Sequence, residues 1–358
     1  MKKFFALLLA LAMVMGLVAC GGSAAPAAPA ATEAPKAEAA PAATEAPAAP
    51  AAEPVVLRFA ASEAETSLYA QALTPALENI MARTEGRVVC ETYYSNALGS
   101  INDTIEQIAL GGNIVNSTSS SSWAAYGCDD MVAMDCMFAF ASTEEIENFN
   151  SSEMWANMVA ELEANGNIHM ICMNWAAAPR VIMSKEQITS VADLKGFLVR
   201  VPTQTYAAWF EALGASPVSG IPFAEVYQNI ESGVIEGAEA PAATLTDYSI
   251  QEVSKYAYTS NHTYAASCFG LSTNVWNMIS AEDQAIITEE LTAGGVAYTK
   301  LCAEANDSVI AEMEAAGVTV TAPSAEDVAA MQAAAAEAAV KLNCREGVME
   351  EIKAASQG

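Results

Sequence analysis

Val55-Val56-Leu57-Arg58-Phe59-Ala60-Ala61 is an apolar, β-branched run of strand length, and the pattern that follows it sets the fold class. Residues 67–83 carry Leu73, Leu77, Ile80 and Met81 at helical spacing, and Gly86 stops them. Residues 88–94 read as a second strand. Residues 102–110 read as a second helix, with Ile101, Ile105 and Ile108 on one face and Gly111-Gly112 as its stop. Residues 114–118 form a third strand. Strand, helix, strand, helix, strand calls for an α/β fold with a parallel sheet and right-handed crossovers.

The alternation resumes further on. Residues 144–165 read as one long helix, 168–174 as a strand, and 180–184 and 197–201 as short strands around the turn Val191-Ala192-Asp193-Leu194-Lys195-Gly196. A helix over 204–213 ends at Gly214. After Pro222, the residues Phe223, Val226, Tyr227 and Ile230 make a one-faced helix that ends at Gly233. A strand over 234–239, a helical stretch over 281–316, a strand over 317–321 and two closing helical segments complete the chain. This is enough material for two lobes with real cores. Two α/β lobes place ligands at the carboxyl ends of strands or between the lobes.

Before Val55 the chain is of another kind. Lys2 and Lys3 precede an apolar run from Phe4 to Val18, and Leu17-Val18-Ala19-Cys20 closes it with small residues and a cysteine. Basic flank, apolar run and small residues are the order of a secretory signal. The run is short for a membrane span. The cysteine makes the junction resemble a bacterial lipobox, with residues 1–19 removed and Cys20 lipidated; an ordinary signal with an incidental cysteine is the alternative. Residues 20–54 are nearly all Ala, Pro, Thr and Glu, unable to bury a core, and read as a disordered, semi-rigid tether. These features place the domain on the outer face of the cytoplasmic membrane, held there by lipid.

The formal charge of -28 argues against nucleic acid and anionic lipid as partners of the domain. An anion site must then be built by local cations, and after residue 20 there are only six arginines: Arg58, Arg83, Arg87, Arg180, Arg200 and Arg345. Besides Cys20 there are seven cysteines, an odd number without CxxC spacing, and most sit in apolar runs such as Met170-Ile171-Cys172-Met173. Buried free thiols are the expected reading. Two histidines, His169 and His262, and the lack of HExxH, GxSxG or phosphate-loop motifs leave an enzyme, a metal site or a cofactor without support.

A series of motifs in order resembles the solute-binding proteins of TRAP (tripartite ATP-independent periplasmic) transporters, the DctP-like family. It starts with Ser95-Asn96-Ala97-Leu98-Gly99. Next come Asp193-Leu194-Lys195-Gly196-Phe197-Leu198-Val199-Arg200-Val201-Pro202 and Leu213-Gly214-Ala215-Ser216-Pro217-Val218. Glu225-Val226-Tyr227, Gly233-Val234-Ile235-Glu236-Gly237-Ala238-Glu239-Ala240-Pro241, Glu252-Val253-Ser254-Lys255-Tyr256 and Asn261-His262 follow. The resemblance implies a two-lobed periplasmic-binding-protein-like fold with an interlobe ligand cleft and a long connecting helix. The solute-binding domain is residues 55–358, one lobe near 55–177 and 266–305, the other near 178–265 and 306–358. It also implies a small organic acid as ligand and a separate TRAP membrane permease as partner.

Arg200 takes the place of the family's carboxylate-binding arginine, and the chemistry agrees: a guanidinium offers a planar fork that matches a carboxylate. Arg180 matches a second arginine that contacts or supports the ligand, with a structural salt bridge to Glu239 as the alternative. Phe223 aligns with an aromatic that lines the cleft, or packs in the core. Trp175, Ser62, Ser119 and Ser120 stand at strand ends of the other lobe as apolar wall and hydroxyl donors. His262 reads as a satisfied structural histidine. One departure bears on the ligand: many relatives carry asparagine where this chain has Ala240, so a polar contact is missing and a monocarboxylate is as open a reading as a sugar acid or C4-dicarboxylate. A sensor subunit for a signalling receptor would use the same fold and site, and a secreted enzyme is the remaining rival.

Overall fold

The computed structural model describes residues 53–358; the expected signal segment, Cys20 and nearly all of the tether lie outside the described residues. The first sheet starts as the sequence pattern requires. Strand β1 (Val55–Ala60) is followed by helix α1 (Leu68–Arg83), β2 (Val88–Tyr93), α2 (Ile101–Ala109) and β3 (Ile114–Ser119). The polar residues at the turns explain the helix ends. Ser67 accepts a hydrogen bond from the Ala70 backbone, and Ser100 with Asp103 forms a reciprocal capping box. β1 pairs parallel with both β2 and β3.

The expected single helix over 144–165 is two: α3 (Thr143–Asn150) and α4 (Glu153–Gly166). Ser152 accepts from the Trp155 backbone and starts a new helix, and Asn150 Oδ1 receives the backbone N–H of Met173 on the next strand. Capping chemistry outweighs the continuous apolar period here. β4 (Ile168–Ala176) then crosses toward the second sheet, whose strands are β5 (Arg180–Ser184), β6 (Leu198–Arg200), β7 (Ser216–Val218), β8 (Gly237–Pro241) and β9 (Tyr256–Tyr258). Between them lie α5 (Gln204–Ala212) and α6 (Val226–Glu231). β8 begins three residues later than the apolar run suggests, because the N–H groups of Val234 and Ile235 both donate to the Asn229 carbonyl and close α6.

β10 (Ala266–Ser272) returns to the first sheet and pairs antiparallel with β3 and β4. That sheet is therefore mixed, in the order β2-β1-β3-β10-β4. The 35-residue α7 (Ala281–Ala315) packs on α1 and β4 in its first half and reaches the second sheet in its last turns, where Met313 is buried. β11 (Thr319–Thr321) completes the second sheet in the order β11-β9-β5-β8-β6-β7, and α8 (Ala325–Lys341) covers α5. The last helix, α9 (Val348–Ala355), does not stay with the second lobe as the division at residue 306 has it. Its apolar face, Val348 and Ile352, enters the first-sheet core beside Phe149 and Trp155, and Asn148 Nδ2 donates to the Ser356 carbonyl.

Each sheet has a core on both faces. Phe59, Leu73 and Trp175 fill one side of the first and Trp123, Phe149 and Leu162 the other. In the second sheet, adjacent residues of β5 part company, Ile182 to the side of Trp209 and Val181 to the side of Val226 and Ile230. Each fully buried side chain of this size contributes about 1.5–3 kcal/mol.

Candidate functional site

The two sheets meet where β4 passes into β5 and β9 into β10. The two connections are tied together: Ala177 donates to the Ala265 carbonyl at 2.9 Å, and the Arg180 backbone to that of Thr263 at 3.3 Å. Beside this joint is a cavity of about 240 Å³, walled by Ser119, Ser121 and Asp135 from the first lobe and by Arg180, Pro202 and Tyr206 from the second. It lies at the carboxyl ends of β3 and β6, the edge where α/β sheets take ligands. A larger hollow of about 520 Å³ lies against α7 and the 177–179 connection. It lies past the end of β4 and carries Lys300 and Asp307 but no arginine, whereas the smaller cavity is lined by Arg180 and is taken as the candidate site.

Register explains how the arginines are presented. In β5 and β8, Ile182 faces Glu239 and Arg180 faces Pro241, so Arg180 and Glu239 share one face of the sheet. Arg200 of β6 is paired with Ala238, one residue from Glu239, and therefore rises from the opposite face. The two guanidiniums flank one sheet edge from opposite sides.

Arg180 is committed on two of its three nitrogens. Its Nε and Nη2 grip the Glu239 carboxylate, Nη2 at 2.8 Å from Oε1 and 3.1 Å from the Glu239 carbonyl, while Nη1 takes part in none of these bonds. The guanidinium lies 4.9 Å over the Tyr206 ring. Glu239 is fully buried and also meets His262 Nε2 at 3.2 Å; His262 Nδ1 is 2.8 Å from Ser260 Oγ, and its ring stacks on Trp209 at 4.7 Å. Burial pushes the Glu239 carboxyl up, but the Arg180 charge and the hydrogen bonds from His262 and Arg180 outweigh it and hold the group ionised. Burial dominates at His262 and lowers its pKa, so the imidazole is neutral, against the opposing pull of Glu239.

Arg200 is half-buried and differently placed. Only its Nε is engaged, with the Ile221 carbonyl at 3.0 Å, and the guanidinium lies 5.1 Å over the Phe223 ring. Among the described residues Arg58 and Arg200 are the arginines without a carboxylate within 4.0 Å; the others pair. Arg58 sits mid-strand in β1 with its Nε on Asn113. Burial lowers the pKa of Arg200, Glu239 raises it and Arg180 lowers it. Two guanidiniums against one carboxylate leave the sheet edge locally positive in a strongly acidic chain.

Of the residues read from the sequence, the cavity gathers Ser119 and Arg180. Arg200 stands two residues before Pro202 of its wall and packs with Phe223, on the Ala240 side of the sheet. Glu239 lies behind Arg180 rather than in the cavity. Ser120 is buried and donates to Asp135 Oδ1 at 2.8 Å. Ser62, past the end of β1, is exposed and outside the cavity. Trp175 is not a wall: it is fully buried, donates from Nε1 to the Leu291 carbonyl of α7 at 2.8 Å, and packs against Tyr69, Phe269 and Tyr298. Ala240 is buried in the core that holds Val226 and Ile230, and offers the site nothing polar. Asp135, Tyr206, Thr203, Thr205 and Thr263 line the cavity without having been singled out from the sequence. For Asp135 there was a signal: one acid alone in Met131-Val132-Ala133-Met134-Asp135-Cys136-Met137-Phe138. The seven cysteines after Cys20 are free, Cys90 and Cys344 half-buried and the rest buried.

The family model described as bacterial extracellular solute-binding protein, family 7, matches residues 59–343. A solute-binding protein of Roseobacter denitrificans is 28% identical over 279 residues, covering 77% of this chain and 82% of its own. A TRAP periplasmic solute-binding protein of Escherichia fergusonii, in an apo open structure, superposes with a TM-score of 0.77 at 20% identity, over 84% of this chain and 99% of that one. Another, from Ochrobacterium anthropi with bound L-fuconate, gives 0.69 at 25% identity over 85% and 99%.

Proposed function

Because this chain belongs to the DctP family, family 7 of the bacterial extracellular solute-binding proteins, we propose that it captures a small organic acid between its lobes and delivers it to a TRAP membrane permease. Arg200 supplies the carboxylate contact. The observation that carries this reading is the state of its guanidinium: half-buried, held in place by Ile221 and Phe223, with both Nη atoms unbonded among the described residues. A cation in this setting gains by receiving an anion, since the Ile221 carbonyl and the Phe223 ring offset only part of its desolvation. Two parallel charge-assisted bonds from the Nη pair contribute about 1.5–3 kcal/mol each. Arg180, fixed on Glu239 with Nη1 turned to no other partner, supports the same anion from across the sheet edge. The relative with bound L-fuconate supports an acid as ligand.

Delivery to a permease accords with residues 1–54, read as a signal, a lipidated Cys20 and a tether, which hold the domain at the outer face of the membrane. The protein binds and releases its ligand unchanged and is not an enzyme. The test is a thermal melt of the purified full chain and of Arg200→Ala against a panel of small carboxylates. A ligand that binds only the folded chain at a hundredfold excess over its Kd adds about 2.7 kcal/mol. The expected result is a rise in melting temperature for one class of acid, lost in Arg200→Ala. A rise that survives in Arg200→Ala removes Arg200 from the site, and a wild type that no acid shifts removes the acid reading.

A further inference from the structure

The cavity has a second charge that the carboxylate-capture reading leaves unused. Asp135 ends the 3-10 turn Asp129–Asp135 and faces the cavity from the first-lobe wall, opposite Arg180. Its Oδ1 accepts from Ser120 Oγ at 2.8 Å and its Oδ2 from the Ser121 backbone N–H at 2.9 Å. A carboxylate has roughly four acceptor positions, so each oxygen keeps about one unfilled. Among the described residues no lysine, arginine or histidine lies within 4.0 Å of it, since the ion pairs formed involve other acids. Arg180, the cation on the opposite wall, is paired through Nε and Nη2 with Glu239 and not with Asp135. A half-buried, fixed and unpaired carboxylate is a costly feature to keep in an otherwise neutral cavity wall. Its two internal bonds fix its orientation, but neutral Asn or Ser would accept a bond in that place without the charge.

The cavity lining is rich in hydroxyls: Ser119 and Ser121 from the first lobe, with Thr203, Thr205 and Thr263. The sheet edge near Arg180 and Arg200 is locally positive, while the opposite wall is negative. A ligand that spans the cavity must therefore present an anion at one end and a hydrogen-bond donor at the other. A second carboxylate would meet Asp135 as a like charge at close range, where repulsion is strong. Ala240 points the same way, since that buried position offers no side-chain amide to a second carboxylate.

We infer that Asp135 is a specificity-determining residue, which takes a hydroxyl or ammonium donor at the ligand's far end and so selects donor-bearing monocarboxylates over dicarboxylates. The inference rests on the reading of this cleft as an acid-binding site. Selection is a difference of affinities, achieved here by one attractive and one repulsive contact at a single carboxylate.

Two ligand series of constant length test it by calorimetric titration of the purified full chain. One is 4-hydroxybutyrate, 4-aminobutyrate and succinate; the other is gluconate and glucarate. In each series at least one donor-ended acid should bind the wild type at least tenfold tighter than the diacid. In Asp135→Asn that ratio should fall to about threefold or less, chiefly because the diacid gains. Asp135→Ser removes the charge with a smaller, different side chain and should show the same collapse, with melting temperatures read beside both variants. Within the four-carbon series, preference for the amine over the alcohol would make the distal group an ammonium, and the reverse a hydroxyl; either supports the inference. Diacids binding the wild type as tightly as donor-ended acids overturn it, as does a preference that persists in both variants. If no acid of either series binds the wild type, the acid reading of the cleft itself fails, and the role of Asp135 falls with it.

Discussion

At single residues, what each buried charge has for a partner decides its role. Glu239 is fully buried and held by Arg180 and His262. Removing one partner of such a pair is destabilising by about 3–5 kcal/mol, because the other charge remains buried and uncompensated. Glu239→Gln should therefore lower the melting temperature by roughly 6–12 °C in calorimetry; an unchanged melt would mean that Arg180 finds water or another acid. The pair was legible in the sequence only as one of two roles for Arg180, since spacing does not reveal that residues 59 apart share a sheet face. Asp135 went unread for the converse reason. A lone acid in an apolar run marks a buried polar group but does not say which cavity it faces. Trp175, placed at a strand end, was expected in the cleft, yet its indole turns into the α7 interface, a contact with residues 116 positions away that no local pattern encodes.

At the scale of elements, β1 to β4, α1 and α2 follow directly from apolar period and capping residues, and so do β5, β6 and α5, whereas β7, β9 and the β10 strand that makes the first sheet mixed were not read. Two boundaries were decided by hydrogen bonds of single side chains or carbonyls: Ser152 splitting α3 from α4, and the Asn229 carbonyl delaying β8. The long helix α7 is legible as a helix from its own residues, and its connecting role only from the family resemblance. Its docking depends on Gly294 and Gly295, which face β4. A Cβ on Gly294 would stand 2.7 Å from the Trp175 ring, itself fully buried and hydrogen-bonded to Leu291. On an exposed helix, glycine to alanine gains up to about 1 kcal/mol of propensity. Here the close approach outweighs that gain, since overpacking costs about 1–3 kcal/mol. Gly294→Ala should lower the urea midpoint of the full chain, and a raised midpoint would show that α7 has room to shift away from β4.

At the scale of the whole molecule, the chain carries a formal charge of -28 and concentrates two of its few arginines at one sheet edge. Its stability should respond to acid in a defined direction. Hydrogen bonds hold the carboxyls of Asp103, Asp193, Asp283 and Asp327 below their ordinary value of 3.8, Arg180 leads the groups that hold Glu239 down, and burial holds His262 below 6.5. In each case the unfolded chain binds more protons than the folded one between the lowered and the ordinary value, so stability rises with pH across that interval. Urea midpoints at about 0.15 M salt, where repulsion among exposed acids is screened, should be highest above pH 6.5. They should decline as His262 becomes protonated in the unfolded chain, and fall steeply below about pH 4.5. Midpoints that rise toward pH 4 would show that relief of charge repulsion governs instead. If the free fork of Arg200 receives a ligand's carboxylate, calorimetric titration of the acid that most raises the melting temperature will separate the full chain from Arg200→Ala. The loss of two charge-assisted bonds should weaken binding at least about 100-fold, equivalent to about 3 kcal/mol; equal affinities in the two proteins would contradict that contact.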